Sequence, residues 1–339
     1  MSDIYEKSLE ELEYKQLLNI ISKFAYSETT KQEILETKPF QNEDLLKLEI
    51  NFVSEMCDLI SNEDSISLDG FEDYSNILNK SKIIDAVLNT DEILDILDLI
   101  SSFRRVSNYF KNINQVYPNL IELTSNIFDN KSLEKFINEI VETNGEIKDN
   151  ASVELKKIRV EINEKSNYLR DRIQKILKKS LEDEVAQDDF FTIREDRFVI
   201  PLKASSKRAY NGIIHGVSAT GNTVFFEPQE IVELNNKISL LRNAEKREIY
   251  RLLEILTQQI AIDADKLLYT TDILLKLDYI IAKSKYALSV NAQKPTIVTD
   301  NIIEFENIKH PLLVNKIGSN KVVPLSLKID NQSRAFIIS

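Results

Sequence analysis

The sequence predicts a mainly α-helical chain with one short β insert, and three observations carry that expectation. The 339 residues include only six glycines and seven prolines, and 29% are charged, which suits long helices with solvated faces. Neither Gly nor Pro occurs in Glu146–Ile200 or in Gln229–Lys294. Between those stretches, "GIIHGVSATGNTVFFEP" (Gly212–Pro228) gathers Gly212, Gly216 and Gly221 among β-branched and aromatic residues, which is the chemistry of a hairpin.

Residues 1–150 read as several amphipathic helices. Apolar residues recur at helical spacing in Leu12, Leu17, Ile21 and Phe24, in Leu46, Ile50, Val53, Cys57 and Ile60, and in Ile93, Leu97, Ile100 and Phe103. Breaks fall at Lys38-Pro39, Asp69-Gly70, Tyr117-Pro118 and Asn144-Gly145. Cys57 lies on an apolar stripe and reads as a small core residue.

From residue 151 the pattern narrows. Leu155, Ile158, Ile162, Leu169, Ile173 and Ile176 form a near-heptad seam that Lys165 interrupts. Ile231, Leu234, Ile238, Leu241, Leu252 and Ile255 form a second, interrupted by Glu245 and Glu248. Two such seams flanking a short insert predict an antiparallel coiled-coil arm, outgoing over 151–187 and returning over 229–262. About 35 residues at 1.5 Å each reach roughly 50 Å, which sets the insert over 188–228 at a tip. Within it, Phe190–Ile193 and Arg197–Leu202 flank the turn Arg194-Glu195-Asp196, and "GIIHGV" and "NTVFFE" flank Ser218–Gly221. His215 is expected to hydrogen-bond within this sheet, and Glu227 to satisfy backbone where the returning helix begins. Helix continues over 263–294 and ends at Pro295. Beyond it "TIVT", "IIEFENI", "KVVPLSLKI" and "RAFIIS" read as short strands, the last stopping at Ser339 as if inside a longer chain.

Composition also bounds function. One cysteine and two histidines 95 positions apart leave no disulfide framework and no zinc site. No apolar run reaches a membrane span and no signal-peptide pattern opens the chain, so the expected location is the cytoplasm. "VSATG" lacks the context of a nucleophile elbow, and the glycine-rich turn lacks the Gly-Lys-Ser/Thr of a phosphate loop. The net charge of −12 argues against nucleic acid coating the whole surface. Yet residues 151–180 hold nine Lys/Arg against four acids, a local net of +5. The stretch Lys203, Lys207, Arg208 and Tyr210 reads as either a solvated hairpin or a phosphate-contacting tip.

"RFVIPLKASSKRAYNGIIHGVSATGNTVFFEPQEIVELNN" (Arg197–Asn236) resembles the clamp segment of the second bacterial branch of the MutS ATPases, whose pattern runs R-Y/F-V-I-P-V-K, G-I-V-H-D-x-S-x-S-G-x-T-L-F-I-E-P and V-x-L-N-N. Gly216 replaces the usual Asp and Thr220 the usual Ser. "LDYIIAKSKYA" (Leu277–Ala287) is similar to that branch's helix entering the ATPase domain. "KHPLL", "KVVPLSLKI" and "RAFIIS" are similar to its R-H-P-L-L, V-V-P-N-D-I and L-V-I-T, which precede the phosphate loop. The opening helices resemble it too.

The resemblance implies a helical lever or core over 1–150, the two arm segments with a β clamp tip over 188–228, core helices over 263–294, and a truncated start of the ATPase domain over 295–339. It implies that this chain hydrolyses no ATP and needs no cofactor, whereas a complete protein would bind ATP and Mg2+, dimerise, and in many members carry a nuclease domain. It implies branched or duplex DNA, or stalled ribosomes, as targets, with no membrane partner. Expected nucleic-acid contacts are Lys203, Lys207, Arg208 and Tyr210 at the tip, and more weakly Lys175, Lys178 and Lys179 on the arm. Lys321 and Val322 fall where the family borders the adenine. The competing reading is a coiled-coil scaffold that binds protein through its seams, and steep salt dependence of binding would separate the two.

Overall fold

The computed structural model describes residues 2–62, 66–113, 116–206, 210–300 and 302–330, with the side chains of residues 2–6 left aside. Eight helices come first: α1 (Ser2–Glu11), α2 (Tyr14–Ser22), α3 (Glu28–Leu35), α4 (Glu43–Asn62), α5 (Ser75–Ser81), α6 (Thr90–Asn112), α7 (Pro118–Thr124) and α8 (Lys131–Ile140). Then follow α9 (Val153–Glu182), the strands β1 (Thr192–Arg194), β2 (Arg197–Lys203), β3 (Gly212–Val217) and β4 (Thr223–Pro228), and α10 (Gln229–Ser289). The chain continues through β5 (Ile303–Ile308), α11 (Pro311–Ile317) and β6 (Leu325–Ile329). It is mainly helical with small antiparallel sheets, and divides into two compact units.

The first unit comprises Met1–Ile84, Leu94–Glu134 and Ile260–Ser339. One of its cores joins Leu18, Ile21, Ala25 and Ile34 to Tyr279 and Ala282 of α10. The packing is specified by polar side chains that satisfy helix starts, whose first N–H groups have no intrahelical partner. Asp278 is buried, and its carboxylate accepts from the backbone N–H of Tyr26 at 2.9 Å and of Ser27 at 3.0 Å, just ahead of α3. Ser27 then caps α3 by accepting from the Thr30 N–H. Glu55 of α4 accepts from Leu120 N–H in the first turn of α7. Thr270 accepts from Phe128 N–H, and Asn130 caps α8 while donating to Asp263. Cys57 is half-buried, its Sγ 3.6 Å from the Ser284 carbonyl, and burial pushes its thiol up.

The second unit comprises Asp85–Ile93 and Lys135–Gln259. Here α9 and the first half of α10 run antiparallel. Ser152 caps α9 by accepting from Leu155 N–H and donates to Glu248 at 2.7 Å. Two turns on, Arg159 Nε donates to Glu245 at 2.7 Å. Farther along, Leu169, Ile173 and Leu177 share a core with Ile231 and Ile238. Both seam interruptions therefore have partners. The gap around Lys165 is closed by Ser166, which is buried, while Lys165 pairs with Glu161. Leu177 and Leu256 are the buried residues where Ile176 and Ile255, both half-buried, were expected.

Several expectations are corrected. The outgoing helix ends at Glu182, not 187, because Glu184 turns left-handed (φ 56°) and Ser180 O accepts from Val185 and Ala186. The helix expected from Gln229 onward is continuous: α10 is one helix of 61 residues, since no Pro or Gly interrupts it. "TIVT" forms no strand, since it follows Pro295 and finds no pairing partner among the described residues. β5 and β6 pair with each other, "KHPLL" opens α11 with Pro311 in its first turn, and "RAFIIS" lies outside the described residues.

Two outcomes follow from these contacts. Asp278→Ala leaves the buried Ser27 N–H and the part-buried Tyr26 N–H without an acceptor and should cost about 2–3 kcal/mol in urea unfolding. Arg251, and then Ser152, hold the Glu248 carboxyl down to about 2 from the ordinary 4.5. A depressed folded-state value means that the stabilisation is present above pH 4.5 and is lost as pH falls toward 2. Acid titration followed by circular dichroism should show a smaller loss across that window for Glu248→Gln.

Candidate nucleic-acid interface

The β module is a four-stranded antiparallel sheet in the order β1-β2-β4-β3. Its first turn is Glu195-Asp196 with both residues left-handed (φ 49° and 62°), the geometry that matches strand twist in a two-residue hairpin. Arg194 therefore pairs with Arg197, which lengthens the strands past the expected Ile193 and Leu202. The β3–β4 pairing carries a bulge between Ile214 and Gly216. Ile200, Leu202, Val224 and Phe226 pack against α9 and α10. Gly212 is required by close approach: a Cβ there would lie 2.1 Å from the Glu227 carbonyl oxygen and 2.5 Å from the Phe226 ring.

The module is organised around Glu227, which is 0% exposed. Arg197 donates to it through Nε (2.8 Å) and Nη2 (2.7 Å), and Asn235 Nδ2 donates at 2.7 Å. His215 Nε2 lies 2.5 Å from its other side. Asn235 also accepts from Phe198 N–H and donates to Phe198 O, tying the first turns of α10 to β2. Burial alone would raise the Glu227 carboxyl, but the bonds from Arg197, Asn235 and His215 outweigh it and the net shift is downward. His215 makes the intramodule bond its sequence context suggested. Glu227 differs from expectation, being held by side chains and not by backbone. Arg197 and Asn235 were not singled out from the sequence, because their partner lies 30 and 8 positions away on other elements.

The expected contact residues are placed as follows. Lys203 is half-buried at the end of β2, and its ammonium donates to Glu184 O at 2.8 Å. It is thus not the free cation expected, because the chain leaving α9 presents it with a carbonyl. Tyr210 packs against the core and donates to Asp183 at 2.5 Å; burial and that bond raise its phenol. Lys207 and Arg208 lie outside the described residues. Lys175, Lys178 and Lys179 are exposed and enter no ion pair among the described residues, and the same holds for Lys156, Lys157 and Arg170. Arg172 is exposed, with Nη1 donating to Tyr168 Oη. Arg194, missed from the sequence, lies 4.2 Å from the Phe225 ring centre.

Lys321 is exposed in a 3-10 turn, and Val322 is 7% exposed. No Gly-Lys-Ser/Thr sequence occurs in the 339 residues. Among the described residues no cluster of His, Cys, Asp and Glu suits a metal ion, and no helix is long and apolar enough to cross a membrane.

Removing the charge of Glu227 tests the network. Glu227→Gln leaves the Arg197 guanidinium partly buried without its counter-ion and should cost about 3–5 kcal/mol in denaturant unfolding. Replacing both, as Arg197→Met with Glu227→Leu, should cost less than the single change.

No protein-family profile matches the chain. Curated proteins do. "Endonuclease MutS2" of Clostridium botulinum (strain Eklund 17B / Type B) is 32% identical over 336 residues, covering 98% of this chain. The "Endonuclease MutS2" of Finegoldia magna is 31% identical over 340 residues, again 98% of the chain. The "Putative endonuclease MutS2" of Bacillus subtilis is 31% identical over 311 residues, 91% of the chain. The chain spans about 42% of the length of the first two relatives and 40% of the third.

Proposed function

The chain belongs to the MutS2 branch of the MutS family, and on that premise we propose that it is the lever, arm and clamp part of a MutS-like ATPase that grips a nucleic-acid target. In this reading α9 and the first half of α10 are a coiled-coil arm, and the four-stranded sheet is its clamp tip. Two copies in the whole protein enclose branched DNA or the RNA of a stalled ribosome. ATP, bound by parts of the protein that this chain does not supply, sets the grip. Suppression of recombination or ribosome rescue is the outcome, and any nuclease step belongs to a further domain.

The observation that carries this reading is the row of exposed, unpaired cations on α9, Lys175, Lys178 and Lys179, in a chain of net charge −12. The helix carries nine Lys/Arg against five acids, and one of those acids, Glu161, pairs with Lys165. Free cations concentrated on an acidic molecule give a polyanion one face to approach. The seam interruptions that motivated a protein scaffold are satisfied internally, Glu245 by Arg159 and Lys165 by Glu161.

Charge reversal at Lys175, Lys178 and Lys179 together tests it. Binding to a branched DNA and to ribosomes would be measured between 50 and 200 mM salt. Each phosphate contact contributes about 0.9 to the slope of log K against log salt, so the triple variant should lower the slope by about 2–3 on the true target. Unchanged slopes on both targets would remove the arm from the interface, and salt-independent binding would favour the scaffold.

A further inference from the structure

Asn is followed by Gly at two positions in the 339 residues, Asn144-Gly145 and Asn211-Gly212, and the structure treats the two in opposite ways. Such a pair can react with itself. The glycine nitrogen, once it has lost its proton, attacks Cγ of the asparagine, and the missing Cβ leaves the approach open. The reaction needs a glycine N–H that no acceptor holds and an amide side chain that is free to turn.

At Asn144 both requirements fail. Gly145 N–H donates to the Glu142 carbonyl at 3.0 Å. The Asn144 side chain is held through Oδ1, which accepts from Glu146 N–H at 3.0 Å, and through Nδ2, which donates to the Glu146 carboxylate at 3.3 Å. Asn211 is the opposite case. It is exposed in the bend that opens β3, and its side chain enters no hydrogen bond among the described residues. Its carbonyl accepts from Gln229 N–H at 2.9 Å, which extends the β3–β4 ladder by one hydrogen-bonded pair. Hydrogen-bonded and non-hydrogen-bonded pairs alternate along an antiparallel ladder, so at the next pair, Gly212 and Pro228, the Gly212 N–H points away from β4. That side is open, because β3 is the edge of the sheet.

We infer that Asn211 is a site of intramolecular deamidation, a chemical change that goes beyond the nucleic-acid reading and does not depend on it. The Gly212 nitrogen gives its proton to hydroxide and bonds to Asn211 Cγ. The Cγ–Nδ2 bond breaks, and Nδ2 leaves as ammonia with a proton from water. Water then adds to one of the two carbonyl carbons of the cyclic imide, the bond from that carbon to nitrogen breaks, and the nitrogen regains a proton. Addition at Cγ yields aspartate. Addition at the backbone carbon yields isoaspartate, in which the main chain runs through Cγ and is one carbon longer. Water is the one co-reactant, nothing is oxidised or reduced, and each product carries one more negative charge than asparagine. In isoaspartate the former backbone carbonyl becomes the free carboxylate, so Gln229 N–H, at the start of α10, loses the acceptor that the ladder gave it. The fold cannot protect the site by exchanging the glycine, since a Cβ at Gly212 would lie 2.1 Å from the Glu227 carbonyl oxygen.

The test ages the 339-residue chain in buffer at neutral and at alkaline pH, then maps its peptides by mass spectrometry and scores isoaspartate with an isoaspartyl methyltransferase. Asn211 should lose its amide about tenfold or more faster than Asn144, whose hydrogen bonds must open first. The rate should rise with pH, as more of the Gly212 nitrogen is deprotonated. Hydrogen exchange at Gln229 N–H should speed up in step with isoaspartate. Asn211→Gln, whose longer side chain must close a larger and slower ring, should show neither change. In urea the rates at Asn144 and Asn211 should converge, because the fold makes the difference. Equal rates in the folded chain, or a faster Asn144, would overturn the proposal. A gap that persists in urea would assign the preference to neighbouring sequence and remove the structural argument. Amide loss at Asn211 without isoaspartate would replace the imide route with direct hydrolysis.

Discussion

The β module depends on one buried carboxylate. Glu227 has no exposed surface, and four donors from three elements converge on it: two from Arg197 of β2, one from Asn235 of α10 and one from the His215 ring of β3. An isolated carboxylate there would be costly, and its pairing makes the arrangement of β2, β3, β4 and the start of α10 mutually conditional. Arg197, His215, Glu227 and Asn235, which lie within the segment that resembles the family, are therefore residues that build the module. Their role in the module is architectural.

The same device recurs along α10. Asp278, Thr270 and Asp263 accept from, or hold, the loops that open α3, precede α8 and cap α8, and Thr257 accepts from Leu88 N–H in the second unit. A helix with an apolar stripe alone would hold its neighbours in many registers. Polar groups placed along the stripe choose one, because a misplaced neighbour leaves a buried N–H without an acceptor.

Much of the fold was legible because it rests on local signals. The helical periods of residues 1–150, the two seams and the hairpin residues around Gly221 each depend on spacing within a few turns. The continuity of α10 was legible as well, because no Gly or Pro occurs between Gln229 and Lys294. Ser166 escaped notice since a small hydroxyl in an apolar seam carries no hydrophobic signal. Tip contacts were the least legible part. Whether a lysine is free depends on what lies across from it, and Lys203 meets a carbonyl 19 positions away that no pattern announces. The exposed lysines of α9 could be read because a seam, once located, also fixes which positions face water.

The short sequence separations inside the β module bear on the order of assembly. Arg197 and Glu227 are 30 positions apart and Phe198 and Asn235 37, whereas Arg159 and Glu245 are 86 apart and Ser152 and Glu248 96. Closing a loop of 96 residues before any other contact exists costs about 1 kcal/mol more than closing one of 30. Once the module has formed, each next pair along α9 and α10 closes only a short extra loop. These loop lengths favour joining the two helices by zippering from the sheet toward Ser152, with Glu248 the last acceptor engaged.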